Sequence, residues 1–257
     1  MEFDAIVLAG GRSSRLGGRD KAALIGLDGR TALDHALGCA QAARRTVVVG
    51  PRPQQPARAV LWARERPLFG GPARGLAAGL AALGEDGPGW VLVLACDQPL
   101  ARPGVAALLA AAGDRRPIDG GPSAAESSVA GASSAVGEAS AAESSSSGRR
   151  SLVTVTPDGR RQWLLGLYRR RELVAACAGL VPGGAGESVR ALVAPLEPIV
   201  VAVSQSVAAD LDSWDEVRRL GFAPADAGRR AVPVDCGREY ASLGRGRSPL
   251  PGESPSD

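Results

Sequence analysis

Four cations follow the first apolar run of this chain at a spacing that suits phosphate chemistry. Arg12, Arg15, Arg19 and Lys21 come directly after Gly10-Gly11. Arginine presents a planar fork to phosphate oxygens, and lysine a compact point charge. The glycines let the backbone approach a ligand closely, and successive loop N–H groups make an anion-binding concavity. A second chemical point is Asp97, in Cys96-Asp97-Gln98-Pro99. Mg2+ takes hard oxygen ligands, one or two protein carboxylates completed by substrate phosphates, and Asp97 is the candidate ligand. Asp210 and Asp212 form a third point. Ser213, with Glu216 three residues on, accounts for a helix cap without them.

The elements that must hold these residues follow from the apolar pattern. Ala5 to Ala9 is short, apolar and β-branched, as a buried parallel strand is, so the glycine turn and the cations leave its C-terminal end. Thr31 is expected to cap a helix running to about Ala43, and Thr46 to Gly50 makes the next buried strand. In one sheet that order implies a right-handed parallel crossover. A shorter strand is read at 59–62. Pro72 suits the first turn of a helix, in which Gly75 and Gly79 allow close packing. Trp90 to Ala95 is the most hydrophobic strand and delivers Asp97 to its C-terminal end, where α/β folds bind ligands. Leu152 to Val155 and Gln162 to Tyr168 are expected to pair as a hairpin across Pro157-Asp158-Gly159-Arg160. Helices are read over 103–113, from Arg169 to about Gly179, from Gly186 onward and from Ser213 to Leu220, with a strand at 198–203.

This order predicts an α/β fold: a three-layer α/β/α sandwich around a mostly parallel twisted sheet. One domain is expected over 1–221. Residues 117–148, rich in Ser, Ala and Gly, lack the apolar surface to offset the entropy of ordering and are expected to be a disordered insertion. Residues 222–257 read as an extension with a largely disordered tail.

Composition narrows the function. A net charge of +3 over 257 residues, with only 4% aromatics, does not favour a nucleic-acid surface. No apolar run reaches the ~18 residues a membrane helix needs, and the N-terminus enters a strand without an export pattern, so the cytoplasm is expected. His35, Cys39, Cys96, Cys177 and Cys236 offer neither zinc spacing nor a Cys-x-x-Cys pair, and free thiols are expected. No convincing Ser/His/Asp set is present.

Leu8, Ala9, Gly10, Gly11, Ser13, Arg15, Gly17 and Lys21 fit the pattern Leu-Ala-Gly-Gly-x-Ser-x-Arg-x-Gly-x-x-Lys, with one extra residue before the lysine. The stretch resembles the signature of nucleotidyltransferases, and its Gly18-Arg19-Asp20-Lys21 ending is most similar to molybdenum cofactor guanylyltransferases. Gly70-Gly71-Pro72-Ala73-Arg74-Gly75-Leu76 and Cys96-Asp97-Gln98-Pro99 resemble two further segments of that family. The resemblance covers roughly residues 3 to 220 apart from the insertion. It implies a Rossmann-like nucleotidyltransferase fold and Mg2+-dependent transfer of a guanylyl group from GTP to a molybdopterin-type acceptor, with pyrophosphate released.

The resemblance also implies roles. Leu8 and Ala9 would meet the base through main-chain groups, with Gly10, Gly11, Gly50, Gly71, Pro72 and Gly75 around the nucleotide. Lys21 is assigned to the α-phosphate and Arg15 to the β- and γ-phosphates. Asp97 and Asp212 would hold Mg2+. Trp163, Ser188 and Arg190 match the acceptor side. Arg66 stands where family members carry an acid; either Glu65 beside it substitutes or that contact is absent, a choice that bears on guanine preference. Cytidylyl transfer to the same cofactor, guanylyl transfer to another phosphorylated acceptor and a non-catalytic nucleotide-binding module remain open at this point. Transient contact with cofactor-biosynthesis or molybdoenzyme partners is expected; nucleic-acid and membrane partners are not.

Overall fold

The computed structural model describes residues 1–11, 13–51, 60–113, 150–180 and 186–225; the expected insertion, Arg12, Cys236 and the tail lie outside them. In chain order the elements are β1 (Asp4–Leu8), β2 (Ile25–Gly26), α1 (Ala32–Cys39), β3 (Thr46–Val49), β4 (Leu61–Ala63), α2 (Pro72–Leu83), β5 (Trp90–Ala95), α3 (Arg102–Gly113), β6 (Leu152–Val155), β7 (Arg161–Arg169), α4 (Arg170–Ala178), α5 (Val189–Val193), β8 (Ile199–Ala202), α6 (Trp214–Arg219) and β9 (Phe222–Ala223).

Side-chain alternation along β1 sorts the core into two layers. Ala5 and Val7 pack with Leu33 and Leu37 of α1 and with Val105 and Leu108 of α3. Ile6 and Leu8 pack on the opposite face with Leu76 and Leu80 of α2, Leu173 of α4 and Val189 of α5. The expected three-layer sandwich is therefore present. Fully burying each such leucine or isoleucine contributes about 1.5–3 kcal/mol, which makes these two faces the main source of stability. Gly79 permits the close seat of α2, since a Cβ there would stand 2.7 Å from Ile6 Cγ2.

The main sheet runs β4-β3-β1-β5-β7-β6-β8. Six strands share one direction, and β7 alone runs against its neighbours β5 and β6. The hairpin expected between β6 and β7 forms. Its longer strand inserts beside β5, with Leu94 opposite Leu165. β1 lies between parallel β3 and β5, and Leu8 is level with both Val49 and Ala95. The chain leaves β1 toward β3 and later returns to the other side at β5, which makes the gap above them a topological switch point.

Two features differ from the sequence reading. First, α1 ends at Cys39, short of the expected Ala43. The Arg44 amide instead donates to the Phe3 carbonyl (2.8 Å), and its guanidinium pairs with buried Asp4, drawing the chain off the helix axis. Second, paired structure continues past 221. β9 lies antiparallel to β2, and Leu16, Leu24, Ala32, Leu211, Val217 and Phe222 form a separate small core under the site loops. The capping expectations are met: Thr31 and Asp34 form a reciprocal box at α1, and Ser213 accepts from the Glu216 amide at α6. No helix of the described residues is long and apolar enough to cross a membrane.

Candidate functional site

A cavity of about 680 Å³ opens above the C-terminal ends of β1 and β5. The backbone builds its floor. The Ala9 amide donates to the Val49 carbonyl at 2.8 Å, and the Cys96 amide donates to the Leu8 carbonyl at 3.0 Å, so the three strand ends leave the sheet side by side. Gly50 allows this convergence, because a Cβ there would meet the Ala9 carbonyl carbon at 2.7 Å. Gly50 does not itself line the cavity, whereas Leu8, Ala9, Gly10, Gly11, Gly71, Pro72 and Gly75 do.

The charged residues meet at one corner of the cavity. Asp20 caps a short 3-10 turn by accepting from the Ala22 amide at 3.0 Å, which fixes the direction of Lys21 as that turn begins. Lys21 Nζ donates to Asp97 Oδ2 at 3.1 Å and to Asp212 Oδ1. Arg15 Nη1 donates to the other oxygen of Asp212 at 3.3 Å. Burial works against the Lys21 charge, but the two carboxylates outweigh it and hold the ammonium above its ordinary range. Two carboxylates, 76 and 191 positions along the chain from Lys21, thus share its one cation.

Asp210, which the sequence singles out with Asp212, and Gln98, which it does not, extend this corner. Asp210 is pushed up to about 6, first by burial and then by the charge of Asp97, with the Gln98 side chain as its hydrogen-bond partner. Gln98 and Gln162, both buried, meet through their amides at 3.3 Å. Gln98 stands inside the Cys96-to-Pro99 motif, yet its spacing gave no sign of a partner on β7. Cys96 is among the lining residues, but its thiol belongs to the main core and is pushed well up by burial and by Asp97, so it offers no thiolate nucleophile.

Glu65 is buried, lines the cavity and accepts from the Phe69 amide at 3.1 Å. Arg66 is exposed and is not among the lining residues. The acceptor-side residues Trp163, Ser188 and Arg190 do not line the cavity either; from β7 it is Leu164 that does. Trp163 packs toward the α2/α4/α5 core with the Arg161 guanidinium 5.6 Å from its ring centre. The Ser188 hydroxyl accepts from the Ala191 amide as the cap of α5. The loop leading to Ser188 and Arg190 still docks beside the cavity residue Gly71, where the Gly186 amide donates to the Gly70 carbonyl at 3.1 Å. His35 is taken up in packing, bonded to Asp28 at 3.3 Å and edge-on to Phe222.

The donor set fits a hard divalent cation. Two carboxylates already face one positive charge, and Mg2+ commonly takes one or two protein carboxylates with substrate phosphates. Among the described residues no group of three or more His, Cys, Asp or Glu side chains is placed to hold a metal without such help.

The chain is 32% identical to the molybdenum cofactor guanylyltransferase of Shewanella sp. (strain MR-4) over 116 residues, 43% of this chain and 57% of that protein. It is 39% identical to the molybdenum cofactor guanylyltransferase of Acidiphilium cryptum (strain JF-5) over 112 residues, 42% of this chain and again 57% of the relative. The match therefore spans little more than half the length of these curated relatives. Among solved structures, molybdopterin-guanine dinucleotide biosynthesis protein A from Archaeoglobus fulgidus superposes with a TM-score of 0.52 at 16% identity, covering 85% of this chain and 96% of that one, a likeness of fold. The model of the MobA-like NTP transferase domain matches residues 5–199, from β1 to the first residue of β8, and the chain belongs to that family.

Proposed function

We propose that this chain is a Mg2+-dependent nucleotidyltransferase that moves a guanylyl group from GTP to a molybdopterin-type acceptor and releases pyrophosphate. One observation carries the reading: Lys21, Asp97 and Asp212 meet beside the Gly10-Gly11 turn, at the switch point between β1 and β5. The names of the curated relatives support the guanylyl donor and the acceptor class.

In the proposed reaction an oxygen of the acceptor phosphate attacks the α-phosphorus and forms a new P–O bond. The bond from that phosphorus to the oxygen bridging the β-phosphate breaks, and pyrophosphate carries away the electron pair. No residue of the chain bonds covalently to substrate. Its work is to hold two anions together and neutralise charge that moves toward the leaving group. Lys21 would neutralise the α-phosphate oxygens and Arg15 the β- and γ-phosphates, while the backbone at Gly10 and Gly11 lets the triphosphate lie close. Leu8 and Ala9 would face the base, with Glu65, Gly71, Pro72 and Gly75 closing that end. Asp97 and Asp212 would hold Mg2+, which supplies Lewis-acid stabilisation of phosphoryl charge when bound. Trp163, Ser188 and Arg190 are proposed for the acceptor side. The setting proposed is the cytoplasm, where Cys39, Cys96 and Cys177, free in the structure, stay reduced. Partner contact, if made, would be transient and with proteins that supply or accept the cofactor.

Pyrophosphate release, measured with GTP, CTP and ATP in the presence of molybdopterin and Mg2+, tests the reading. Turnover that needs acceptor and metal and prefers GTP is expected; no turnover with any nucleotide overturns it.

A further inference from the structure

We propose that Lys21 is an internal counter-ion which a divalent metal must displace, so that metal enters this site with the nucleotide and not before it. The proposal rests on the Mg2+-dependent reading above and adds an order of binding to it.

The argument begins with what Nζ touches. It contacts Asp97 Oδ2 at 3.1 Å and Asp212 Oδ1, while Arg15 takes the second Asp212 oxygen at 3.3 Å. Mg2+ draws its oxygen ligands to about 2.0–2.1 Å. A metal drawn to the same oxygens, Asp97 Oδ2 and Asp212 Oδ1, would compete with the ammonium that now holds them. The contact is also sheltered, with the Lys21 side chain 18% exposed and that of Asp97 26%, so solvent weakens the pairing less than at an open surface.

Charge then sets the order. The two carboxylates and the two basic side chains in contact are balanced among themselves. Metal alone would have to take both carboxylates from cations they already hold, leaving the displaced ammonium only the neighbouring Asp210. A metal–triphosphate pair differs, because phosphate oxygens receive both Lys21 and Arg15 as the carboxylates are handed to the metal. The ligand count agrees. Two aspartates cannot fill an octahedral shell, and phosphate oxygens and water must complete it. Lys21 thereby acts twice, first as a placeholder on Asp97 and Asp212 and then as a phosphate ligand.

Calorimetric titration of Mn2+ into the full chain tests this, with wild type and Lys21→Met, each alone and with a GTP analogue whose α,β-bridge is a methylene. Wild type is expected to bind Mn2+ about ten-fold or more tighter with the analogue than without, within the usual range of coupling. Lys21→Met, with no ammonium to displace, is expected to bind Mn2+ about ten-fold tighter than wild type in the absence of nucleotide. If circular dichroism shows that Lys21→Met does not fold, Lys21→Gln takes its place. A variant that binds Mn2+ no tighter than wild type overturns the proposal. Equal Mn2+ affinity of wild type with and without analogue overturns it too, while leaving the Mg2+-dependent reading standing. If wild type takes up no Mn2+ even with the analogue, that underlying reading fails as well.

Discussion

The backbone amide of Leu211 donates to the carbonyl of Asp97 at 2.9 Å. This bond ties the loop that carries Asp212 to the loop at the end of β5 and sets the spacing of the two carboxylates around Lys21. The Leu211 side chain, fully buried, sits in the small core with Leu16 and Leu24, which flank Lys21 in the sequence. One residue therefore anchors the acidic loop by its amide and the basic loop by its side chain.

Leu211→Ala is expected to cost about 2–5 kcal/mol of stability through the cavity it leaves. It should also lower kcat well below that of a matched control at a temperature where both are folded. Leu108→Ala, equally buried on the core-facing side of α3, is the control. Steady-state kinetics beside thermal melts check this; equal kcat in the two variants would separate the small core from the site.

Asp97→Ala and Asp212→Ala should each reduce Mg2+-dependent turnover by about 10²–10³-fold, the scale set by losing one preorganised electrostatic group. Asp97→Ala removes one part-exposed ion pair and Asp212→Ala two, each worth about 0–1 kcal/mol, so the stability change should stay below about 1 kcal/mol for the first and about 2 kcal/mol for the second. Pyrophosphate release and melting curves measure the two effects. Near-normal turnover in either variant would remove that aspartate from the chemistry.

Asp210 gives a pH dependence to stability in Mg2+-free buffer. Its folded-state value of about 6 lies above the ordinary 3.8, because burial and the charge of Asp97 disfavour ionisation. The folded protein therefore holds this proton more tightly than the unfolded chain. The stability it contributes is present below about pH 4 and is lost as pH rises through 6, by about 3 kcal/mol in all. Asp210→Asn should remove that loss, so the variant melts higher than wild type at pH 8 and the gap closes toward pH 4. Denaturant midpoints across that range test it, and a variant that is less stable at pH 8 contradicts it.

At the far end of the sheet, buried Asp4 pairs with Arg170 and with Arg44, and Arg170 also donates to the Gly84 and Pro88 carbonyls at 3.0 Å. Asp4→Ala would leave a buried guanidinium without its anion and should cost about 3–5 kcal/mol. The pair lies at the opposite end of β1 from Leu8, which lines the cavity, so KM for nucleotide should not change in protein that remains folded. Chemical denaturation with parallel kinetics checks both halves.

Much of this protein was legible along the chain. The apolar run of β1, the glycine turn, the spacing to Lys21 and the strand that delivers Asp97 are local patterns, as are the caps at Thr31 and Ser213. Each is fixed by neighbours within a few residues, so period and turn chemistry suffice to find it. Tertiary structure decided the rest. Nothing within a few residues of Phe222 names Gly26 as its partner, and no spacing assigns Gln98 to Gln162 or the Leu211 amide to the Asp97 carbonyl. The sequence supplied the carboxylates and the ammonium; their meeting at one point came from packing between segments nearly two hundred residues apart, whose contacts depend on burial and backbone pairing that no local pattern encodes.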